Sequence, residues 1–395
     1  MNAWAVVSVR YQFTQLPNKY KRLGFPGLFI FKFFEGGEEM TRLERLQKKL
    51  PELFIDAMLV TDEKNIFYLT GFDLSSGDGE LLVTTNNSII ITDRRYEQAL
   101  AEFKSDEVVA TLTSDYYGSL NQICQGLRIE VLGYEDTISY RLFDYLDELM
   151  TADLVAFSDL IEEMRQIKDS TEIAKIKRAA DLQTAGYHYL LDHIQPGMTE
   201  RQVANLLDFW MKEHGASSAS FPTIIASGVN AAKPHATISD KIIASGDIVT
   251  VDFGYYVDGY TADLTRTFAI KTIDPELRDV YEIVNAARQA VINHIKVGCH
   301  GDRLDKTGRQ LIDRAGYGDE FNHGMGHGIG LSVHELPASY GPHTPDVRLK
   351  HNEVITVEPG IYIPEIGGVR IEDDVLVTHG GPQLLTTAPT ELIIL

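Results

Sequence analysis

Asp247-Ile248-Val249-Thr250-Val251-Asp252-Phe253-Gly254-Tyr255-Tyr256 recurs, in weakened form, as Glu353-Val354-Ile355-Thr356-Val357-Glu358-Pro359-Gly360-Ile361-Tyr362. Both are apolar β-type runs that end in a carboxylate, a spacer residue and a glycine. Each is followed by a second carboxylate on another strand-like run: Asp263 within residues 260–267, and Glu372 within residues 368–374. A duplicated unit of this kind implies two half-domains related by a pseudo-two-fold axis. Their equivalent strands would meet at the centre and bring Asp252, Asp263, Glu358 and Glu372 together.

Four acids at the ends of apolar strands need positive compensation, because each buried, unpaired carboxylate costs several kcal/mol. Two divalent cations would cancel the four charges. Phe321-Asn322-His323-Gly324-Met325-Gly326-His327-Gly328-Ile329-Gly330 offers a fifth ligand. Its alternating glycines let backbone approach a site closely, and His327 is the natural donor. An oxygen-rich set with one nitrogen suits Mn²⁺, Co²⁺ or Fe²⁺ better than a structural zinc. Paired metals of that kind can acidify a water and clamp a tetrahedral intermediate, which is hydrolytic chemistry. Beside them, His235 (in Lys233-Pro234-His235-Ala236), His323 and His334 (in Val333-His334-Glu335-Leu336-Pro337) are candidates to donate to a carbonyl oxygen or a developing oxyanion. Arg370 lies two residues before Glu372, so on a strand it would share that face and orient the carboxylates.

Outward from this core, the chain punctuates itself into helices. Asp169 with Glu172, and Thr199 with Gln202, read as capping-box starts, and Asp274-Pro275 opens a third helix with proline at its first position. Upstream, Ala57–Val60, Leu81–Thr84 and Ser88–Thr92 read as strands, while Arg95–Phe103 and Tyr140–Met150 read as helices. The expected organisation is a small α/β domain over residues 40–163, without a catalytic constellation, and a catalytic domain over residues 164–395.

Residues 1–39 stand apart. They hold nine of the 37 aromatic residues and carry a net charge of +2 in a chain whose formal charge is −21. Lys32 interrupts their apolar stretch and no small-residue cleavage site follows, which argues against a signal peptide. Glu35-Gly36-Gly37-Glu38-Glu39, directly before Met40, is what a translated purine-rich ribosome-binding site would give. The natural start is therefore expected at Met40.

The remaining composition excludes several classes. At 395 residues with 44% hydrophobic residues the chain can build a sizeable core. Its acidity and lack of a basic patch disfavour nucleic acid. Two distant cysteines, Cys124 and Cys299, make neither a disulfide framework nor a cysteine metal site, and they fit a reducing, cytoplasmic compartment. No apolar run is long enough to span a membrane.

The ordered set Val251–Gly254, Ala262–Thr267, Gly326–Gly328, Val357–Gly360 and Arg370–Asp373 resembles the pita-bread metallopeptidases, specifically their Xaa-Pro aminopeptidase and Xaa-Pro dipeptidase (prolidase) branch. Asn65-Ile66-Phe67-Tyr68-Leu69-Thr70-Gly71-Phe72 is similar to the smaller N-terminal domain of such enzymes. The resemblance covers nearly everything from Met40 onward. It implies an α/β (α+β) protein with a creatinase-like N-terminal domain and a pita-bread catalytic domain, working as a homodimer. It implies that Asp252, Asp263, His327, Glu358 and Glu372 bind two divalent metal ions, manganese first and cobalt second. Asp263 and Glu372 would bridge them, and Glu358 would also take a proton from the attacking water. His235 and His334 match histidines that face the substrate, and His323 matches a further active-site histidine.

The expected activity is removal of an N-terminal residue that precedes proline, whose fixed φ and tertiary amide defeat general peptidases. The close alternative is a prolidase, restricted to dipeptides because it needs a free carboxylate after the proline. A methionine aminopeptidase would not need the N-terminal domain. Creatinase-like hydrolases share the fold without metal, and a non-enzymatic binding module would have lost ligands. This chain retains all five.

Overall fold

The computed structural model describes residues 40–342, 344 and 347–395, and these divide between Ile161 and Glu162 into two units. Residues 1–39, with the expected start at Met40, lie outside the described residues.

The N-terminal unit alternates α1 (Arg42–Glu52), β1 (Ala57–Val60), α2 (Glu63–Thr70), β2 (Gly79–Thr84), β3 (Ser88–Thr92), α3 (Glu97–Glu102), β4 (Val108–Leu112), α4 (Tyr116–Leu127), β5 (Val131–Glu135), α5 (Tyr140–Leu149) and β6 (Asp153–Phe157). The six strands form one mixed sheet in the order β4-β3-β2-β1-β5-β6. Strands β1, β2, β3 and β5 are buried along their whole length, which is why they read as continuous apolar runs. The helix expected over residues 95–103 differs: a 3-10 turn at Arg94–Tyr96 precedes a short α3 that buries no residue. Helix α4 escapes the sequence pattern because only Leu120 and Cys124 are fully buried, while Tyr116, Tyr117 and Ile123 pack against the core partly exposed.

The second unit is built twice over. After the short α6 (Glu162–Gln166) come two helices, α7 (Ser170–His193) and α8 (Glu200–Glu213), and then β7 (Ser218–Ala219), β8 (Ile224–Ser227), β9 (Ile248–Phe253), β10 (Tyr255–Tyr256) and β11 (Leu264–Ala269). Two further helices, α9 (Pro275–His294) and α10 (Gly301–Arg314), lead into β12 (Gly326–Gly328), β13 (Glu335–Tyr340), β14 (Val354–Val357), β15 (Gly360–Ile363), β16 (Gly367–Arg370), β17 (Asp373–Thr378) and β18 (Gly381–Leu384). The sheet orders β11-β9-β8 and β17-β14-β12 match, all pairings antiparallel, with the strand of the quoted run central in each. Each half thus repeats two helices followed by a three-stranded core, as duplication requires.

The caps read from sequence are present: Asp169 and Glu172 form a capping box, Thr199 and Gln202 another, and Pro275 opens α9. Strand alternation then sorts the faces. Val249, Val251 and Phe253 of β9 pack into a core with Leu190, Val203 and Leu207 of the first helix pair, while Ile355 and Val357 of β14 pack with Val284 and Val291 of the second. The opposite faces carry Thr250 and Asp252 in one half and Thr356 and Glu358 in the other. The halves are joined at those faces: Glu372 N donates to Thr265 O at 3.1 Å, and Arg370 N to Thr267 Oγ1 at 3.2 Å.

Candidate metal centre

Asp252 lies in β9 opposite Thr265, Asp263 immediately precedes β11, Glu358 immediately follows β14, and Glu372 stands between β16 and β17. All four are thus at or beside strand ends, where apolar patterning delivers them to one seam. His327 is the middle residue of β12, paired with β14 through Gly328 and Ile355. Gly326 beside it has no room for a side chain, since a Cβ there would lie 2.1 Å from Thr356 O. The backbone N–H of His327 donates to Thr356 Oγ1 at 3.0 Å.

Donor atoms of Asp263, His327 and Glu372 lie within 4.8 Å of one another, all three residues buried. Glu358 Oε1 is 3.5 Å from His327 Nε2, and Asp263 Oδ2 is 4.0 Å from it. His327 Nδ1 is 3.0 Å from Gly328 O. A carbonyl can only accept, so Nδ1 carries the proton and the Nε2 lone pair faces the carboxylates. Burial, aided by His334, holds this imidazole down at about 3, so it stays neutral and able to ligate.

The carboxylates answer the opposite way. Burial first, then Glu372 and Asp252, raises Asp263 well above the ordinary range, and burial with Glu358 and Asp252 does the same to Glu372. Glu358 is pushed up to about 7 by burial, with Arg370 opposing and Asp252 adding. Asp252 Oδ1, Asp263 Oδ1 and Glu372 Oε1 are buried without a hydrogen-bond partner. Such orphaned anionic oxygens are costly in a folded interior. Clustered around one neutral imidazole, they are the donor set that divalent cations fit.

The other oxygens are held. Thr265 Oγ1 donates to Glu372 Oε2 at 2.6 Å, and Arg370 Nη2 to Asp252 Oδ2 at 2.5 Å. Strand β16 ends at Arg370, so this residue and Glu372 do not share one strand face; the guanidinium turns to Asp252 instead. Arg370 Nη1 also donates to Tyr362 Oη at 2.8 Å, and Tyr362 Oη lies 2.9 Å from His323 Nε2. His323 Nδ1 donates to Gly324 O at 2.8 Å, which leaves Nε2 to accept from the tyrosine. Burial and Arg370 push His323 down to about 4. His334 is exposed, with its ring centroid 4.2 Å from that of His327 and the planes at 71°. His235, also exposed, directly follows Pro234, whose carbonyl oxygen accepts from Arg370 Nη1 at 3.3 Å.

Asp252, Asp263, Glu358, Glu372 and His327 therefore lie along one seam, with Arg370, His323 and His334 beside them. Tyr362, Thr265 and Thr356 belong to the site too. Tyr362 and Thr356 stood inside the quoted repeat, but a hydroxyl that holds a ligand leaves no spacing signature. Asp374, whose Oδ2 accepts from Asp263 N at 2.9 Å, is the other omission.

Residues 174–379 match the family model for metallopeptidase family M24, and residues 42–167 match the creatinase/prolidase N-terminal domain. A Pyrococcus furiosus protein named Xaa-Pro dipeptidase is 35% identical over 89% of this chain and 99% of its own. Among solved structures, an Xaa-Pro dipeptidase from Bacillus anthracis is 40% identical, with a TM-score of 0.84 over 90% of this chain and 99% of that one. An X-Pro aminopeptidase from Thermotoga maritima is 34% identical, with a TM-score of 0.82 over 90% and 100%. A duplicated α/β domain with a buried cluster of carboxylates around His327, and this degree of likeness, make the chain a member of metallopeptidase family M24 with a creatinase-like N-terminal domain.

Proposed function

We propose that this peptidase is an Xaa-Pro dipeptidase, splitting dipeptides whose second residue is proline. The observation that carries the reading is the 40% identity to the Bacillus anthracis Xaa-Pro dipeptidase along nearly its whole length. The sequence alone put an aminopeptidase first. Likeness to named dipeptidases, in Pyrococcus furiosus as well, reverses that order.

In this reading Asp252, Asp263, His327, Glu358 and Glu372 would hold two divalent metal ions, manganese preferred. When bound, such cations supply Lewis acidity and acidify water. Glu358 takes the proton of the attacking water and later passes it to the leaving proline nitrogen. Its buried carboxyl, close to neutrality, suits a group that both accepts and returns a proton. His334 and His235 donate to the substrate's carbonyl and carboxylate oxygens. Arg370 fixes Asp252 and, through Tyr362, the tautomer of His323. The buried, unpaired Cys124 and Cys299 support a reducing cytoplasmic setting. Assembly as a homodimer rests on the family resemblance.

The test is manganese-loaded protein given a matched Xaa-Pro dipeptide and Xaa-Pro-Yaa tripeptide, with products read by mass spectrometry. Cleavage of the dipeptide alone is expected. Release of the first residue from the tripeptide would make the enzyme an aminopeptidase instead.

A further inference from the structure

Glu335 follows His334 directly, yet its side chain points away from solvent and is only 4% exposed. Arg165 Nη2 lies 2.6 Å from Glu335 Oε2, and Lys168 Nζ lies 2.7 Å from Oε1, with both cations' side chains at least 95% buried. The same carboxylate accepts from Ser332 N at 3.2 Å, and Arg165 Nη2 donates to Ser332 Oγ at 3.1 Å. Burial alone would raise the Glu335 carboxyl, but Lys168 and Arg165 outweigh it and hold it below its ordinary value. Three charges are thus locked together beneath the turn that joins β12 to β13.

Packing seals that turn. A Cβ on Gly330 would lie 2.4 Å from Glu335 Oε1 and 3.1 Å from Lys168 Cε, so the cluster presses against the loop backbone. Gly330 O accepts from Thr261 N at 2.9 Å, and Ile329 N donates to Val354 O at 3.2 Å. His334 is therefore flanked on its C-terminal side by a carboxylate fixed at both oxygens, and its ring stands against that of His327. An apolar trio of similar volume would fold as well or better than buried ions, so stability does not account for this cluster. What it provides is direction: two cations reach Glu335 from residues 165–168, outside the hairpin, and set where the backbone of residue 334 must lie.

We propose that the Arg165–Glu335–Lys168 cluster is a positioning device for His334, aiming its imidazole at the substrate over the metal centre. The inference rests on the dipeptidase reading for its kinetic consequence but not for its geometry. Removing the carboxylate charge frees the turn, and the His334 ring samples orientations that do not meet the substrate.

The experiment is a double-mutant cycle of Glu335→Gln and His334→Ala on the full chain, loaded with manganese and given an Xaa-Pro dipeptide. Glu335→Gln is expected to lower kcat/KM by about 10–100-fold, the range for groups that orient a site's side chains, with manganese content unchanged. In the His334→Ala background the same substitution is expected to cost less than about 3-fold, because its effect passes through the missing ring. Additive losses would overturn the proposal. If Glu335→Gln does not fold, Lys168→Met, which leaves a neutral Arg165–Glu335 pair, is carried through the same cycle. A second readout uses metal-free protein: the imidazole resonance absent from His334→Ala should shift in Glu335→Gln, and an unmoved resonance would refute positioning. A wild type that cleaves no Xaa-Pro dipeptide would sink the functional reading while the resonance still decides this one.

Discussion

Arg370 places one guanidinium nitrogen 2.5 Å from Asp252 Oδ2 and leaves Asp252 Oδ1 buried without a partner. One oxygen of the carboxylate is thus committed to the protein and the other is reserved. Arg370 is also the positive charge that opposes the upward push on both Glu358 and Glu372. Arg370→Met should therefore weaken manganese binding and destabilise the fold. Breaking a buried pair by removing one partner costs about 3–5 kcal/mol. Thermal unfolding with and without manganese checks this: the melting temperature should drop in the metal-free protein and drop further with manganese present, where lost metal affinity adds to the lost ion pair.

The acids that serve the site work against the fold when it is empty. Asp263→Asn removes one charge from a cluster in which burial raises both Asp263 and Glu372, Glu372 raises Asp263, and Asp252 and Glu358 raise both. The variant should be at least as stable as wild type after chelation, yet lose more than about 100-fold in activity, beyond what outer groups of a metal site contribute. Paired melting curves and dipeptide turnover measure both halves. Wild-type turnover in Asp263→Asn would remove this residue from the ligand set.

Metal and protons compete for the same oxygens. Glu358 rises from 4.5 to about 7 on folding, so the folded metal-free chain binds more protons than the unfolded chain between those values. Its contribution to metal-free stability is therefore lost as pH rises from about 4.5 to about 7. The stabilisation conferred by manganese should grow over that interval, and metal binding near pH 6 should release protons. Calorimetric titration in buffers of different ionisation enthalpy reads the proton count directly. A pH-independent increment would contradict the assignment.

Tyr362 joins Arg370 to His323 through hydrogen bonds of 2.8 and 2.9 Å. Tyr362→Phe keeps the ring but removes the donor that fixes the Nε2 lone pair of His323. Turnover is expected to fall by about 10-fold, the lower end for such supporting groups, with manganese affinity nearly unchanged. Steady-state kinetics beside a metal titration separates the two effects.

Much of this site was legible because alternation is a strong signal. Val249, Val251, Ile355 and Val357 face helices, so Thr250, Asp252, Thr356 and Glu358 had to face the other way, and the repeat placed two acids per half at the seam. Helix α10 was not anticipated, because its inner face includes Asp305 and Gly308 and breaks the apolar stripe. Asp305 is there to hold Arg309, which donates to the carbonyl of His323 at 2.8 Å, a long-range need that no local pattern announces. Glu335 likewise read as an ordinary residue after a histidine. Its partners stand some 170 positions upstream, at Arg165 and Lys168.

The bond from Glu372 N to Thr265 O, and that from Thr265 Oγ1 to Glu372 Oε2, mean that ligand placement and the joining of the two halves are one and the same set of contacts. Any cation held by Asp263, from the first half, and Glu372, from the second, is a staple across the line of duplication. Neither half can be excised, swapped or allowed to drift without displacing a carboxylate of the other from the cluster.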